Sequence, residues 1–251
     1  MKPLGPLLLV PAVIAALAAL IIPSLLMIRR CHAAPPPTSR PAAAAGRVKP
    51  TLDCELHAAG LQLGDPVFIR IFKEERELEL WVRHRSDGTY RHFRTWPVVA
   101  MSGTLGPKLA EGDLQAPEGF YFVPPDRMKP DSLYHLAFNL GFPNAFDCAH
   151  GRTGSLIMVH GNRVSIGCFA MTDEKIEEIY TLCEGALSNG QPFFRVHVFP
   201  FRMTSERMSA AAAHPWHDFW LNLKEGYDWF ENTRIPPEAT VKDGRYAFGN
   251  P

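Results

Sequence analysis

Hydrophobic and polar positions divide the 251-residue chain into unlike stretches. Leu4 to Ile28 runs 25 positions without a charge and is rich in Leu, Ala, Ile and Val. About 20 such residues suffice to cross a bilayer, and Pro6, Pro11 and Pro23 are tolerable in such a segment. The stretch predicts an uncleaved anchor or a signal peptide cut near Cys31-His32-Ala33. Ala33 to Pro50 follows, rich in Pro and Ala, and predicts an extended spacer with too few large side chains to build a core.

Beyond the spacer the pattern becomes that of strands. Val67–Lys73 and Leu78–Arg83 predict adjacent strands, and Tyr90–Val99 continues them after the turn residues Ser86-Asp87-Gly88. Gly119–Val123, Leu133–Leu140, Leu156–His160 and Phe193–Phe199 are further strands, punctuated by Gly and Pro. One helix is clear. Thr172 is a good N-cap, Asp173 and Glu174 suit the positive end of the helix dipole, and Ile176, Ile179, Tyr180, Cys183 and Leu187 recur at helical spacing before Asn189-Gly190. A second helical region, about Ser205 to Glu231, is broken at Pro215 and carries an aromatic packing face. The fold class is therefore mostly β with α: mixed sheets, a helix behind residue 170, and a helical C-terminal extension.

Composition changes this picture little, and charge excludes one class of partner. The formal charge is zero overall, but residues 1–46 hold four basic and no acidic side chains, leaving the rest at net −4. That is no footprint for nucleic acid. No Gly-rich phosphate loop, CxxC or HExxH pattern calls for a cofactor or a metal. Cysteine number is odd, so in an exported protein at least one thiol stays unpaired. Cys183 reads as a small core residue, and Cys54 with Cys148 as a possible disulfide.

Candidate chemistry sits at Ser155-Leu156-Ile157-Met158-Val159-His160-Gly161 and Asn162-Arg163-Val164-Ser165-Ile166-Gly167-Cys168. A thiol attacks as thiolate and needs a base or cation nearby; Cys168 lies eight positions after His160, across a short loop. On this segment alone, a buried structural cysteine beside an unrelated histidine is an equally good reading. In the catalytic reading Cys168 attacks an acyl carbon, His160 takes its proton, and an imidazolium there lowers the thiol pKa. The N–H groups of Gly167 and Cys168 are then the oxyanion donors, and a side chain at 167 would crowd the tetrahedral carbon. Ser165 orients the imidazole, bonds the substrate or is simply a loop hydroxyl, Gly161 lets backbone approach a ligand, and Arg152 or Arg163 meets a substrate carboxylate. His197 reads as a packed or surface histidine.

Around that pair, Ser102-Gly103-Thr104, Pro117-Glu118-Gly119-Phe120-Tyr121, Gly141-Phe142-Pro143-Asn144, His160-Gly161, Ser165-Ile166-Gly167-Cys168 and Val196-His197-Val198 occur in an order that resembles the L,D-transpeptidase catalytic domain, or YkuD domain. The resemblance covers roughly residues 65 to 210. It is greatest to the subgroup that detaches the outer-membrane lipoprotein from murein. Ile166 stands where the family commonly has histidine, and the His-to-Cys spacing is short; both departures suit that subgroup. The resemblance implies a YkuD-like fold and acyl transfer through a thioester on peptidoglycan stem peptides. The implied substrate is murein-bound lipoprotein, cut at the diaminopimelate–lysine bond. The alternatives are a transpeptidase forming 3–3 cross-links or attaching proteins to the wall, and a catalytically silent wall-binding module. The domains expected are 1–30 signal peptide or membrane anchor, 31–64 spacer and lead-in, 65–203 catalytic domain and 204–251 helical extension. Arg29 and Arg30 argue for a cytoplasmic C-terminus, but the implied substrate places the domain in the periplasm, with the N-terminal segment at the inner membrane.

Overall fold

A computed structural model of the protein describes residues 39–250. The expected membrane segment, Cys31 and the Pro35–Pro37 run lie outside them. Among the described residues, no helix is long and apolar enough to cross a membrane.

A five-stranded sheet is built from β1 (Val67–Phe72), β2 (Glu77–Arg83), β3 (Tyr90–Pro97), β4 (Gly119–Val123) and β9 (Phe194–Phe199), in the order β3-β2-β1-β9-β4. Only β1 and β9 run parallel. Every residue of β1 is buried, the charged Arg70 included among five apolar ones. Continuous burial of this kind marks a strand covered on both faces. Against one face, Ile69, Ile71, Leu78, Leu80, Tyr121 and Val196 pack with a second sheet and with α3 (Asp173–Ser188). Against the other, Phe72, Phe120 and Phe199 pack with Trp220, Leu223 and Tyr227 of α5 (His217–Thr233).

The second sheet has four short strands, β5 (Met128–Lys129), β6 (Ala137–Asn139), β7 (Met158–His160) and β8 (Phe169–Ala170), in that order. α2 (Ala145–Ala149) lies between β6 and β7, and α4 (Ser205–Ala210) precedes α5. The mixed-sheet class and the helix after the motif are as expected, with Thr172 at the N-cap of α3. Only Ala137–Asn139 of the expected strand Leu133–Leu140 is strand, the preceding residues forming a loop.

Three expectations are corrected. The spacer reading breaks at Ser39, where a 19-residue helix α1 (Arg40–Ala58) begins, capped by the Ser39 hydroxyl and passing through Pro50. It buries Ala44, Ala45, Leu52 and Leu56 and packs on α3. The C-terminal region is not helical throughout, because a hairpin of β10 (Glu238–Lys242) and β11 (Arg245–Gly249) closes the chain. Cys54 and Cys148 are both exposed free thiols, so they form no disulfide.

The Pro-Glu-Gly-Phe-Tyr motif ties these layers together. Glu118 is fully buried and accepts from Lys73 (3.0 Å), the Gly106 N–H (2.7 Å) and the Trp220 indole (2.8 Å). Gly119 sits at φ +145°, and a Cβ there would stand 2.6 Å from the Tyr246 hydroxyl, so this position needs glycine.

Candidate active site

β7 and β8 lie side by side in parallel, with Val159 opposite Phe169 and His160 opposite Ala170. Cys168 precedes β8 and stands level with Met158, whose N–H donates to the Cys168 sulfur at 3.4 Å. Side chains alternate along strands. Val159 and Phe169 therefore enter the core, while Met158, His160 and Cys168 face a common cleft of about 420 Å³.

The loop from Gly161 to Gly167 is held from within. The Ser165 hydroxyl donates to the Cys168 carbonyl (2.6 Å) and accepts from the Gly167 N–H (3.3 Å). Asn162 is left-handed (φ 64°), with its N–H on Asp173 at 2.7 Å. Leu156 is a bulky residue at φ 54°, an unfavourable conformation that turns its carbonyl toward the Cys168 thiol at 3.6 Å.

The opposite wall is Lys129 to Tyr134. Tyr134 lies over the His160 imidazole with ring centres 4.8 Å apart, and His160 is only 3% exposed. His160 Nδ1 faces the Gly161 carbonyl at 2.5 Å. A carbonyl only accepts, so Nδ1 carries the proton and Nε2 keeps the lone pair. The tautomer is that of a base.

Charge in the cleft favours neutral partners. Burial pushes the Cys168 thiol above its ordinary pKa, against the opposing Met158 N–H and the positive charge of Lys108. Burial also pushes the His160 imidazole down, against its bond to the Gly161 carbonyl. Both directions run against the expected imidazolium that lowers the thiol pKa, because the cleft walls are largely apolar and burial is the largest cause of each shift.

Of the residues expected at the site, His160 and Cys168 come together and Ser165 and Gly167 shape the loop beside them. Ser165 does not bond the imidazole; its hydroxyl is used within the loop. Gly167 suits its backbone at φ +129°, and within the protein a Cβ there would meet nothing closer than the Gln115 carbonyl at 3.5 Å. Gly161 is buried and does not line the cleft, and a Cβ there would meet Asp173 at 2.6 Å and the Tyr134 carbonyl at 2.8 Å. Arg152 is buried and paired with Asp147 at 2.8 Å, so it cannot meet a substrate carboxylate. Arg163 is exposed on the loop. The other histidines lie elsewhere: His150 bonds the Phe146 carbonyl, and His197 is buried between Phe68 and Phe120.

Sequence reasoning missed Lys129, Asp131, Leu133 and Tyr134, having read the last two into a strand. The signal available was Pro130-Asp131-Ser132, a turn-forming cluster ahead of an aromatic. Leu133, Tyr134, Leu156, Val164 and Ile166 form a set of exposed apolar side chains on the cleft and its loop.

The L,D-transpeptidase catalytic domain (YkuD) profile matches residues 66–229. The chain is 48% identical over 189 residues to "Putative L,D-transpeptidase YafK" of Escherichia coli K12, covering 75% of this chain and 76% of that protein. The protein of the same name from Escherichia coli O157:H7 matches equally. Among solved structures, the helical cell shape determining protein Pgp2 of Campylobacter jejuni aligns at 22% identity and TM-score 0.45, covering 71% of this chain and 67% of its own.

Proposed function

This chain belongs to the L,D-transpeptidase (YkuD) family, and from that premise we propose that it is a cysteine-dependent peptidoglycan enzyme that hydrolyses the bond joining murein diaminopimelate to the lysine of an outer-membrane lipoprotein. The observation that carries the reading is the shared cleft of Cys168 and His160, with the imidazole in its basic tautomer. In this reading the thiol proton passes to His160 Nε2 as the sulfur bonds the acyl carbon, and the backbone N–H of Cys168 receives the oxyanion, joined by that of Gly167 as it exchanges its long bond to the Ser165 hydroxyl for the developing charge. Ser165 holds the loop that presents them. His160 then returns the proton to the departing lysine amine, leaving a thioester that water cleaves.

Two features support a protein-bearing substrate and water as acceptor. The cleft and its loop present exposed Leu133, Leu156, Val164 and Ile166, apolar surface suited to a polypeptide beside the scissile bond. Ile166 also removes the polar side chain that cross-linking relatives carry next to the cysteine. Arg163 remains a candidate contact for a stem-peptide carboxylate. The apolar N-terminal segment supports export, with the domain working in the periplasm at the inner membrane.

Sacculi carrying bound lipoprotein test the proposal. The protein should release the lipoprotein and leave diaminopimelate uncoupled, and Cys168→Ala should reduce release at least about a thousandfold. Accumulation of 3–3 dimers without release would favour the transpeptidase, and undiminished release by Cys168→Ala would end the thiol mechanism.

A further inference from the structure

The wall of the cleft that carries Tyr134 has little secondary structure of its own, lying between the two-residue β5 and the three-residue β6. It holds a left-handed His135 at φ 67°, a conformation that needs outside support. That support comes from α1. Arg40 donates one guanidinium nitrogen to the Ser132 carbonyl at 2.6 Å and to the His135 carbonyl. These two acceptors bracket Leu133 and Tyr134, both of which line the cleft. From α3, Glu177 meets the His135 ring at 2.7 Å, and Arg47 of α1 holds the same carboxylate through two nitrogens. From below, the loop presses on Gly161, where an added Cβ would lie 3.0 Å from His135.

We propose that Arg40, with the Arg47–Glu177 pair behind it, is a positioning residue: α1 fixes Ser132–His135 so that Tyr134 covers the His160 imidazole and Leu133 sets the width of the cleft. The helix that follows the N-terminal segment thus governs access to the thiol. This rests on the reading of Cys168 and His160 as the reacting pair. α1 itself does not depend on Arg40, since it is also held by its buried Ala44, Leu52 and Leu56 and by Glu55 on Arg94. The loop can therefore be released without unfolding the helix.

The test uses the full chain with Arg40→Ala, Arg40→Lys and Glu177→Gln. In Arg40→Ala, amide exchange in 131–136 should rise about tenfold while exchange in 44–57 stays within about twofold of wild type. Iodoacetamide should alkylate Cys168 about tenfold faster, and KM for lipoprotein-bearing sacculi should rise about tenfold with kcat changed less than about threefold. Lysine, which can also reach two carbonyls, should restore at least half of the loss in log KM, and Glu177→Gln should shift the same readouts in the same direction by less. Unchanged exchange in 131–136, or raised exchange with unchanged alkylation, would overturn the proposal. Exchange and alkylation need no wall substrate, so they judge it even where sacculi are not cleaved; absence of release by the wild type would instead count against the function proposed above.

Discussion

At the scale of single residues, the site is a thiol and an imidazole whose neutral forms burial favours. This sets a pH dependence with a definite sign. A thiol whose pKa is pushed up gains thiolate only as pH climbs past the ordinary value of about 8.5. A depressed imidazole is unprotonated through the neutral range and so offers no positive charge to hold a thiolate there. Alkylation of Cys168 by iodoacetamide should then rise continuously from pH 6 to 9.5, with no plateau near neutrality. A plateau at pH 6–7 that His160→Ala removes would show an ion pair and refute this account. The two residues proposed to react were legible in the sequence because they are close along the chain, His160 at the end of a recognisable strand and Cys168 a few residues ahead of a recognisable helix. Arg152 was misread for the opposite reason. Residue type says what a side chain can bind, whereas its direction depends on partners such as Asp147 that only the folded chain supplies.

At the scale of elements, strands and the amphipathic α3 follow from periodicity, and α1 does not. Its Ala-rich run is read correctly as a helix former only if Pro50 is discounted. A proline inside a helix costs about 3 kcal/mol, and burial of Leu52 and Leu56 returns about 1.5–3 kcal/mol each, so tertiary packing decides the matter against local signals. The same contest makes a prediction within α5. Gly226 is a helical glycine, and replacing glycine with alanine in an exposed helix normally gains about 1 kcal/mol. Here a Cβ would stand 2.5 Å from Phe248 and 2.6 Å from Phe120. Phe120 belongs to the central sheet and Phe248 to the hairpin, and overpacking of such rings costs about 1–3 kcal/mol. Gly226→Ala should therefore lower Tm by a few degrees, a shift of about 2–4 °C accompanying each kcal/mol in a chain of this size. A rise in Tm would show that the rings yield freely.

At the scale of the whole molecule, the family motif and the C-terminal region prove to be one construction. Glu118 takes the Trp220 indole as one of its donors, and Gly119 makes room for the Tyr246 hydroxyl, which also accepts from Asn144 at 2.9 Å. A catalytic domain ending at 203, followed by an appendage, therefore misdescribes the described residues: the sheet has two covered faces, and residues after 203 cover one of them. Trp220, Tyr227, Phe230 and Tyr246 are all buried. Without them Phe72, Phe120 and Phe199 on that face of the sheet lose their apolar cover. A chain truncated after Met203 should accordingly show no cooperative thermal transition and no near-ultraviolet dichroism, although it keeps His160 and Cys168. Its Cys168 should alkylate like an exposed thiol, because the sheet that carries β9 and Phe194 against Phe138 of β6 no longer supports the cleft from behind. A truncated chain melting cooperatively within about 5 °C of the full one would mean that one covered face is enough, and that the motif glutamate serves the site by another route.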